Sequence, residues 1–304
     1  MAANATASGS ESPGVVPAAG AARRGIAQSA PPEAYFVVSA IFHYLGPAFA
    51  VLLFARVDVL GVAWLRIASA ALIFAVWRRP WRNVRGAWRL LLAWGVVLAV
   101  MNSTFYMAID RLPLGTVAAI EFLPVIVLAA IGVRSARNVA ALAIAVPGVY
   151  LLTGVRIEAE PLGLALAFAN AGLFALYIVL ADRVAKRAGL SGIDGLAASM
   201  LVAAVVITPI GGWQALGVLG DPVALAAGIG VGVSSSVIPY VADQLALRRL
   251  ARATYALLVS LLPATATVIG IVVLAQLPTA AEVLGVALVV AGVALHRSPA
   301  PEPV

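Results

Sequence analysis

The 304-residue sequence contains no cysteine and only 2 histidines. Without cysteine there are no disulfide bonds, no thiolate metal sites and no cysteine nucleophiles, so redox and zinc enzymes fit poorly. Charged residues make up only 11% of the chain, against about 25% in a typical soluble domain. Too few polar residues are available to cover a water-soluble surface.

Apolar residues dominate the composition: 63% of the chain is hydrophobic and the mean hydropathy is +1.04. The chain also contains 27 glycines and 18 prolines, which are tolerated inside membrane helices. This composition predicts an all-α integral membrane protein with several spans.

From Ala34 onward, apolar stretches near the length that crosses a bilayer alternate with short polar breaks. We predict ten transmembrane helices: Ala34–Ala55, Val59–Trp77, Leu90–Ile109, Leu114–Val133, Val139–Val155, Leu162–Ala181, Gly192–Trp213, Val223–Leu247, Ala253–Ala275 and Ala280–His296. Residues 1–33 are rich in Ala, Ser, Pro and Gly and are expected to form a disordered cytoplasmic tail. Residues 297–304 form the second cytoplasmic tail.

Alternating the loops between the two membrane faces gathers most basic residues on one face. That face collects Arg23, Arg24, Arg78, Arg79, Arg82, Arg85, Arg89, Arg134, Arg137, Arg183, Lys186, Arg187, Arg248, Arg249, Arg252 and Arg297. Basic loop residues stay in the cytoplasm, so both termini are predicted to be cytoplasmic. Trp77, Trp81 and Trp88 lie among these arginines and indicate a membrane-interface girdle, not a nucleic-acid patch.

Two segments of the chain resemble each other, Ala108–Pro124 and Ala246–Pro263. In both, a helix leaves the membrane through a short loop, a threonine opens the next helix, and a Leu-Pro pair follows. Five spans per half make the second half enter with the opposite orientation, which is the inverted-repeat plan of secondary transporters. We therefore predict two inverted five-helix repeats, 34–155 and 156–296, functioning as a monomer or homodimer.

Two ionisable residues are predicted to lie inside the membrane at similar depth, Arg66 in the second span and Glu121 in the fourth. Each is seven residues past the start of a helix that enters from outside, about 10 Å below the interface. Such residues are default functional candidates. We expect Glu121 to carry a proton and Arg66 to be its counter-ion or to bind a substrate carboxylate. A static ion pair that joins the two helices is the alternative.

A third acidic residue, Asp243, lies near the cytoplasmic end of the eighth span and is a second candidate for proton coupling. Neutralisation by Arg248 or Arg249 is the structural alternative. The single histidine of the first span, His43, is interpreted mainly as a packing residue and secondarily as a proton relay.

Uncharged polar residues recur in the middle of the third and eighth spans, which are equivalent helices of the two halves. We expect Asn102, Tyr106, Ser235 and Tyr240 to bind a small polar solute, with helix packing as the alternative. Three prolines, Pro124, Pro239 and Pro263, interrupt helix hydrogen bonds in mid-span and are candidate gates or static kinks.

Enzyme motifs are absent from the sequence: there is no nucleotide-binding glycine loop, no carboxylate cluster for a metal, and no Ser-His-Asp arrangement. We therefore expect no catalysis, no cofactor and no bound metal. The expected partners are a small-molecule substrate, protons and the lipid bilayer.

The ten spans and two motifs resemble the drug/metabolite transporter superfamily with paired EamA-type domains. MNSTFYMAIDRLPLGTVAAIEF (101–122) and SVIPYVADQLALRRLARATYALLVSLLP (236–263) are similar to its threonine/homoserine exporter branch. The resemblance implies a bacterial inner-membrane exporter of small amino acids, driven by the proton gradient. Rival interpretations are an exporter of another metabolite such as a nucleoside, and a structural membrane subunit without transport.

The sequence departs from the branch pattern at two places. Ala275-Gln276 stands where the family often has Gly-Glu, and Leu262 stands where an acid usually precedes the proline. Coupling through either acid would be impossible here, which increases the importance of Glu121.

Overall fold

A computed structural model describes residues 31–82, 86–132, 135–154, 160–186, 192–247 and 258–295. Within these ranges the regular structure is entirely helical. The principal helices are α1 Pro32–Leu53, α2 Val59–Arg78, α3 Trp88–Ile109, α4 Leu114–Gly132, α5 Ala136–Gly154, α6 Pro161–Ala185, α7 Gly192–Ile207, α8 in three pieces (Pro222–Gly232, Val233–Val237 and Ile238–Leu247), α9 Leu262–Leu274 and α10 Ala280–Leu295. The predicted cytoplasmic tails, 1–33 and 297–304, fall outside the described residues except for residues 31–33.

Six of these helices are long and apolar enough to cross a membrane: α1, α2, α3, α6, α7 with its following turn, and α8. The apolar parts of α4, α5, α9 and α10 are shorter. Large apolar side chains such as Val76 and Val272 lie exposed on the outside of the bundle, as expected for surfaces that face lipid. The multi-pass, all-helical class is confirmed, and ten crossings remain a prediction.

The helices of the first five pack mainly against helices of the second five. The packed pairs between the two sets are α1–α8, α1–α9, α2–α7, α2–α8, α3–α6, α3–α7, α4–α6, α4–α9, α4–α10 and α5–α10. The packed pairs within a set are α2–α3, α3–α4, α4–α5, α6–α7 and α9–α10. Small residues permit the close approaches. A Cβ at Gly46 of α1 would collide with Ser235 of α8, and a Cβ at Gly148 of α5 would lie 2.8 Å from the carbonyl oxygen of Gly285 in α10.

Helix α8 contains a π turn at Val233–Val237. Because Pro239 has no N–H, it cannot donate to the carbonyl four residues earlier, and the backbone N–H of Ile238 bonds instead to the carbonyl of Val233. Ser39 of α1 donates to the Pro239 carbonyl at 3.3 Å. The wider turn presents Ser234, Ser235 and Ser236 to neighbouring helices, where all three are buried.

Pro263 follows a break inside the predicted ninth span, because residues 258–259 are helical, residues 260–261 form a turn, and a helix begins again at Leu262. This residue lies in the first turn of α9, which begins at Leu262. The first N–H groups of a helix have no intrahelical acceptor, so a proline there removes no hydrogen bond. Pro124 does lie inside α4, and Pro239 inside α8 as predicted.

At the basic end of the bundle, α2 and α7 are joined by an ion pair between Arg78 and Asp194 (Nε to Oδ1, 2.8 Å). Only 12% of the Asp194 side chain is exposed. Replacing Asp194 by Asn is expected to lower the free energy of unfolding by about 2 kcal/mol, because the guanidinium loses its charged partner in a half-buried place. Thermal unfolding in detergent measures the loss.

Asp182→Asn is the matched control, because Asp182 pairs with Lys186 at the same 2.8 Å while both side chains are mostly exposed. Exposed pairs contribute well under about 1 kcal/mol. Equal unfolding temperatures for the two variants would contradict a structural role for the Arg78–Asp194 pair.

Candidate functional site

Arg66 lies where α2, α3 and α8 meet. Its Nε donates to Ser236 Oγ at 3.3 Å, and its guanidinium carbon lies 5.4 Å from the centre of the Tyr106 ring. Tyr106 is fully buried, so the cation faces an aromatic ring shielded from solvent. The π turn of α8 supplies the serine, and α3 supplies the ring. Arg66 therefore connects the two halves of the chain.

Glu121 lies in α4 and faces α6. Its Oε1 accepts a hydrogen bond of 3.1 Å from Asn170 Nδ2. Asn170 is fully buried and Glu121 is 9% exposed. A buried carboxylate with one neutral donor is only partly stabilised, because an ionised carboxylate can accept several hydrogen bonds. Glu121 can thus interact with a further cation or proton.

Arg66 and Glu121 do not form the static ion pair considered from the sequence. They interact electrostatically, but no ion pair links these two described side chains within 4.0 Å. Helix α2 packs on α7 and α8, whereas α4 packs on α6 and α9, and the two helices are not among the packed pairs. Opposite charges are therefore kept apart in the centre of the bundle.

Four buried polar atoms around these charges have no hydrogen-bond partner. They are Tyr44 Oη, Tyr106 Oη, Asn170 Oδ1 and Ser235 Oγ. Tyr106 Oη lies beside Arg66 and Ser235 without completing a hydrogen bond of regular geometry, and Tyr44 lies within electrostatic range of Glu121. Leaving such atoms unpaired costs about 1–3 kcal/mol each. A bound water, ion or ligand can supply the missing partners.

A layer of aromatic rings lies further along α6 and α8, toward the basic end of the bundle. The hydroxyl groups of Tyr177 and Tyr240 are 3.3 Å apart. The Tyr177 ring stacks on Phe174 and contacts Trp94, with centroid distances of 6.1 Å and 5.6 Å. Phe74 meets the Tyr240 ring edge to face at 6.4 Å. This aromatic layer connects helices α6 and α8, which are not among the packed pairs.

Three further predicted residues, Asn102, Asp243 and Pro124, have different surroundings. Asn102 is buried but donates through Nδ2 to the Leu98 carbonyl of its own helix, so its amide donor is occupied. Asp243 is half-buried one turn beyond Tyr240 and interacts with it electrostatically. Pro124 follows Glu121 by three residues in α4. Their roles in binding, coupling and gating remain predictions.

Sequence reasoning missed Asn170 and Tyr177. Asn170 is the single carboxamide of the 25-residue α6, and it is nine residues past the helix start, close to the depth of Glu121 in α4. Counting residues from each helix start would have placed the two side chains at one level. Tyr177 gives no comparable signal, because aromatic residues are common in buried helices.

The first departure from the branch pattern, Ala275-Gln276, has a structural role at the end of the bundle opposite the basic residues. Gln276 Oε1 accepts a hydrogen bond of 3.0 Å from the backbone N–H of Leu114, at the start of α4. Ala275 takes a left-handed conformation with φ of 52° and ends α9. Gln276 thus caps α4 and connects α9 to it. Among the described residues, no group of three or more His, Asp or Glu side chains forms a metal site.

Apolar helices from both halves surround two opposite charges that do not form an ion pair, an arrangement typical of membrane transporters. The comparison with known proteins agrees. Residues 161–297 match the EamA-like transporter family. The threonine/homoserine exporters RhtA of Salmonella typhimurium (strain LT2) and Escherichia coli (strain K12) are each 32% identical over 251 residues, covering 81% of this chain and 84% of the relative. The chain belongs to the EamA-like transporter family.

A solved crystal structure shares the fold, with a TM-score of 0.58 and 18% sequence identity over 87% of this chain and 97% of the other. This likeness extends over nearly the whole bundle, whereas the family match covers its second half. The resemblance to the drug/metabolite transporters and to their threonine/homoserine branch is confirmed.

Proposed function

We propose that the protein exports small amino acids of the threonine and homoserine type from the bacterial cytoplasm in exchange for protons. The observation that carries the proposal is the separation of Arg66 and Glu121 inside the bundle. Each charge has a neutral hydrogen-bond partner, and neither is neutralised directly by the other. A zwitterion carries the two complementary charges on one small molecule.

The two charged groups have separate roles in transport. Arg66 binds the substrate carboxylate, because its guanidinium can donate two parallel hydrogen bonds. Glu121 alternates between ionised and protonated forms and so couples substrate movement to protons. The exporters at 32% identity support the amino-acid class.

The packing of the helices supports two inverted halves, 34–155 and 156–296, that work by alternating access. Exchanging the first five helices for the second five maps α1–α8 onto α3–α6, α2–α8 onto α3–α7, and α1–α9 onto α4–α6. Transporters of this plan bind substrate between the repeats, where Arg66 and Glu121 lie. We propose ten crossings with both termini in the cytoplasm, because the basic residues concentrate at that end.

One chain supplies every side chain of the proposed site, so a monomer is sufficient for transport. Arg66, Tyr106 and Glu121 come from the first half, and Asn170 and Ser235 from the second. A homodimer would not need to share the site.

The proposal predicts counterflow in proteoliposomes. Vesicles preloaded with unlabelled threonine or homoserine are expected to take up labelled threonine transiently, at least tenfold above protein-free vesicles. Thr265→Val is the matched control variant, because the Thr265 hydroxyl bonds only to the carbonyl of Leu261 in its own helix. Absence of counterflow with every small amino acid would contradict the proposed substrate class.

The aromatic layer favours a second candidate, the export of a solute with a planar ring such as a nucleoside. Stacked rings at Phe174 and Tyr177 provide faces for such a ring. The same vesicles preloaded with a nucleoside separate the two functions, because a nucleoside exporter gives counterflow with the nucleoside and none with threonine.

A further inference from the structure

Asn170 has one half of its amide occupied and the other unpaired. Nδ2 donates to Glu121 Oε1 at 3.1 Å, while Oδ1 has no partner although it is buried. While Glu121 is ionised it has no proton to donate, so in that form the amide nitrogen faces Glu121 and the amide oxygen points elsewhere. The oxygen and nitrogen of one amide are about 2.2 Å apart. Asn170 Oδ1 therefore lies within about 5 Å of the carboxylate.

A second unpaired oxygen lies near the same carboxylate. Tyr44 of α1 is fully buried, its Oη has no hydrogen-bond partner, and Glu121 acts on it electrostatically. Gly46, two residues further along α1, lies directly against Ser235. Helix α1 thus contacts the π turn of α8 at Gly46, and its Tyr44 lies within electrostatic range of Glu121.

We propose that Asn170 Oδ1 and Tyr44 Oη bind the ammonium group of a zwitterionic substrate, with Glu121 as its counter-charge. This inference rests on the proposed transport of amino acids and adds two residues that recognise the amine. An ammonium group has three donors and no acceptor. A carboxylate oxygen, an amide oxygen and a phenol oxygen offer it three acceptors.

The opposite side of the site offers donors. Arg66, Tyr106 Oη and Ser235 Oγ lie together around α2, α3 and α8. A carboxylate accepts from all three, and an ammonium group would be repelled by the guanidinium. The arrangement of donors on one side and acceptors on the other therefore orients the substrate.

The test combines substitutions in the protein with deletions in the ligand. Binding of three ligands is measured on purified full-length protein in lipid nanodiscs: threonine, threoninol, which keeps the amine and lacks the carboxylate, and 2,3-dihydroxybutyrate, which keeps the carboxylate and lacks the amine. The variants are Asn170→Leu and Tyr44→Phe, with Thr265→Val as the control. Tyr44→Phe removes only an oxygen that has no protein partner, so its folding is expected to be preserved.

Both variants are expected to weaken the binding of threonine and threoninol about tenfold, and to change the binding of 2,3-dihydroxybutyrate less than twofold. An equal loss for all three ligands in both variants would overturn the assignment and leave the proposed function in place. Wild-type protein that binds no zwitterion would overturn both. Threonine binding that requires sodium would assign these oxygens to a metal cation instead, and would also overturn the proposal.

Discussion

Replacing Arg66 by Gln is expected to weaken threonine binding about 100-fold. The guanidinium is the one cation placed against the buried Tyr106 ring among the described residues, and it lies beside the Tyr106 hydroxyl group. Removing one partner of a buried, hydrogen-bonded charge pair costs about 2–5 kcal/mol, and about 1.4 kcal/mol corresponds to tenfold in affinity. Equilibrium binding in nanodiscs measures the effect.

This prediction has two controls, one substitution and one ligand. Arg66→Lys keeps the charge but loses the paired donors, so it is expected to recover only part of the affinity. Threoninol, which has no carboxylate, is expected to bind Arg66→Gln as well as it binds the wild type.

Arg56→Gln is the matched arginine control. Arg56 is 63% exposed and lies 3.8 Å from Asp221, away from the charged centre, so its removal is expected to leave binding unchanged. Unaltered threonine affinity in Arg66→Gln would mean that the carboxylate binds elsewhere, and the proposed role of this arginine would be wrong.

Replacing Glu121 by Gln is expected to abolish proton-driven transport. In wild-type vesicles, a lower pH on the face opposite the cytoplasm is expected to accelerate threonine movement toward that face. For one proton exchanged per substrate, one pH unit is worth about tenfold in the steady-state gradient. A membrane potential of 100 mV adds about 2.3 kcal/mol, or about fiftyfold. Glutamine cannot release a proton, so both contributions are expected to disappear.

Labelled threonine in vesicles with an imposed pH gradient or potential measures this change. Glu282→Gln is the matched control, because Glu282 is also buried, and its carboxylate accepts from the N–H and hydroxyl of Thr279 at the start of α10. That variant is expected to keep its pH dependence. A Glu121→Gln protein whose transport still follows the pH gradient would transfer the coupling role to Asp243.

Under the proposed function, the unpaired buried atoms are expected to lower the stability of the protein without substrate. Tyr44 Oη is buried without a partner, and an unpaired buried hydroxyl costs about 1–3 kcal/mol. In the proposed mechanism, substrate binding supplies the missing partner. The site is therefore conspicuous in the structure as a group of polar atoms without partners, a property that depends on neighbours from several helices.

The helices themselves could be predicted closely from the sequence. The predicted starts of the second and fourth spans, Val59 and Leu114, are the observed starts of α2 and α4, because polar breaks mark where an apolar run begins. The depth of Arg66 and Glu121 followed from those starts and the rise per residue. The helix break before Pro263 could not be predicted this way, because Leu261 and Leu262 give no sign that a helix begins there.

The sequence by itself determined that this is a membrane protein and that two charged residues lie inside the membrane. The evidence was its composition, the length of its apolar runs and the distribution of arginine. These suffice because the cost of burying polar groups in lipid acts on each segment separately. The tertiary structure alone decided which side chains meet. It keeps Arg66 away from Glu121 because α2 and α4 do not pack together, and it brings Asn170 to Glu121 because α4 packs on α6. Contacts between helices depend on how their surfaces fit, and hydropathy contains no information about that fit.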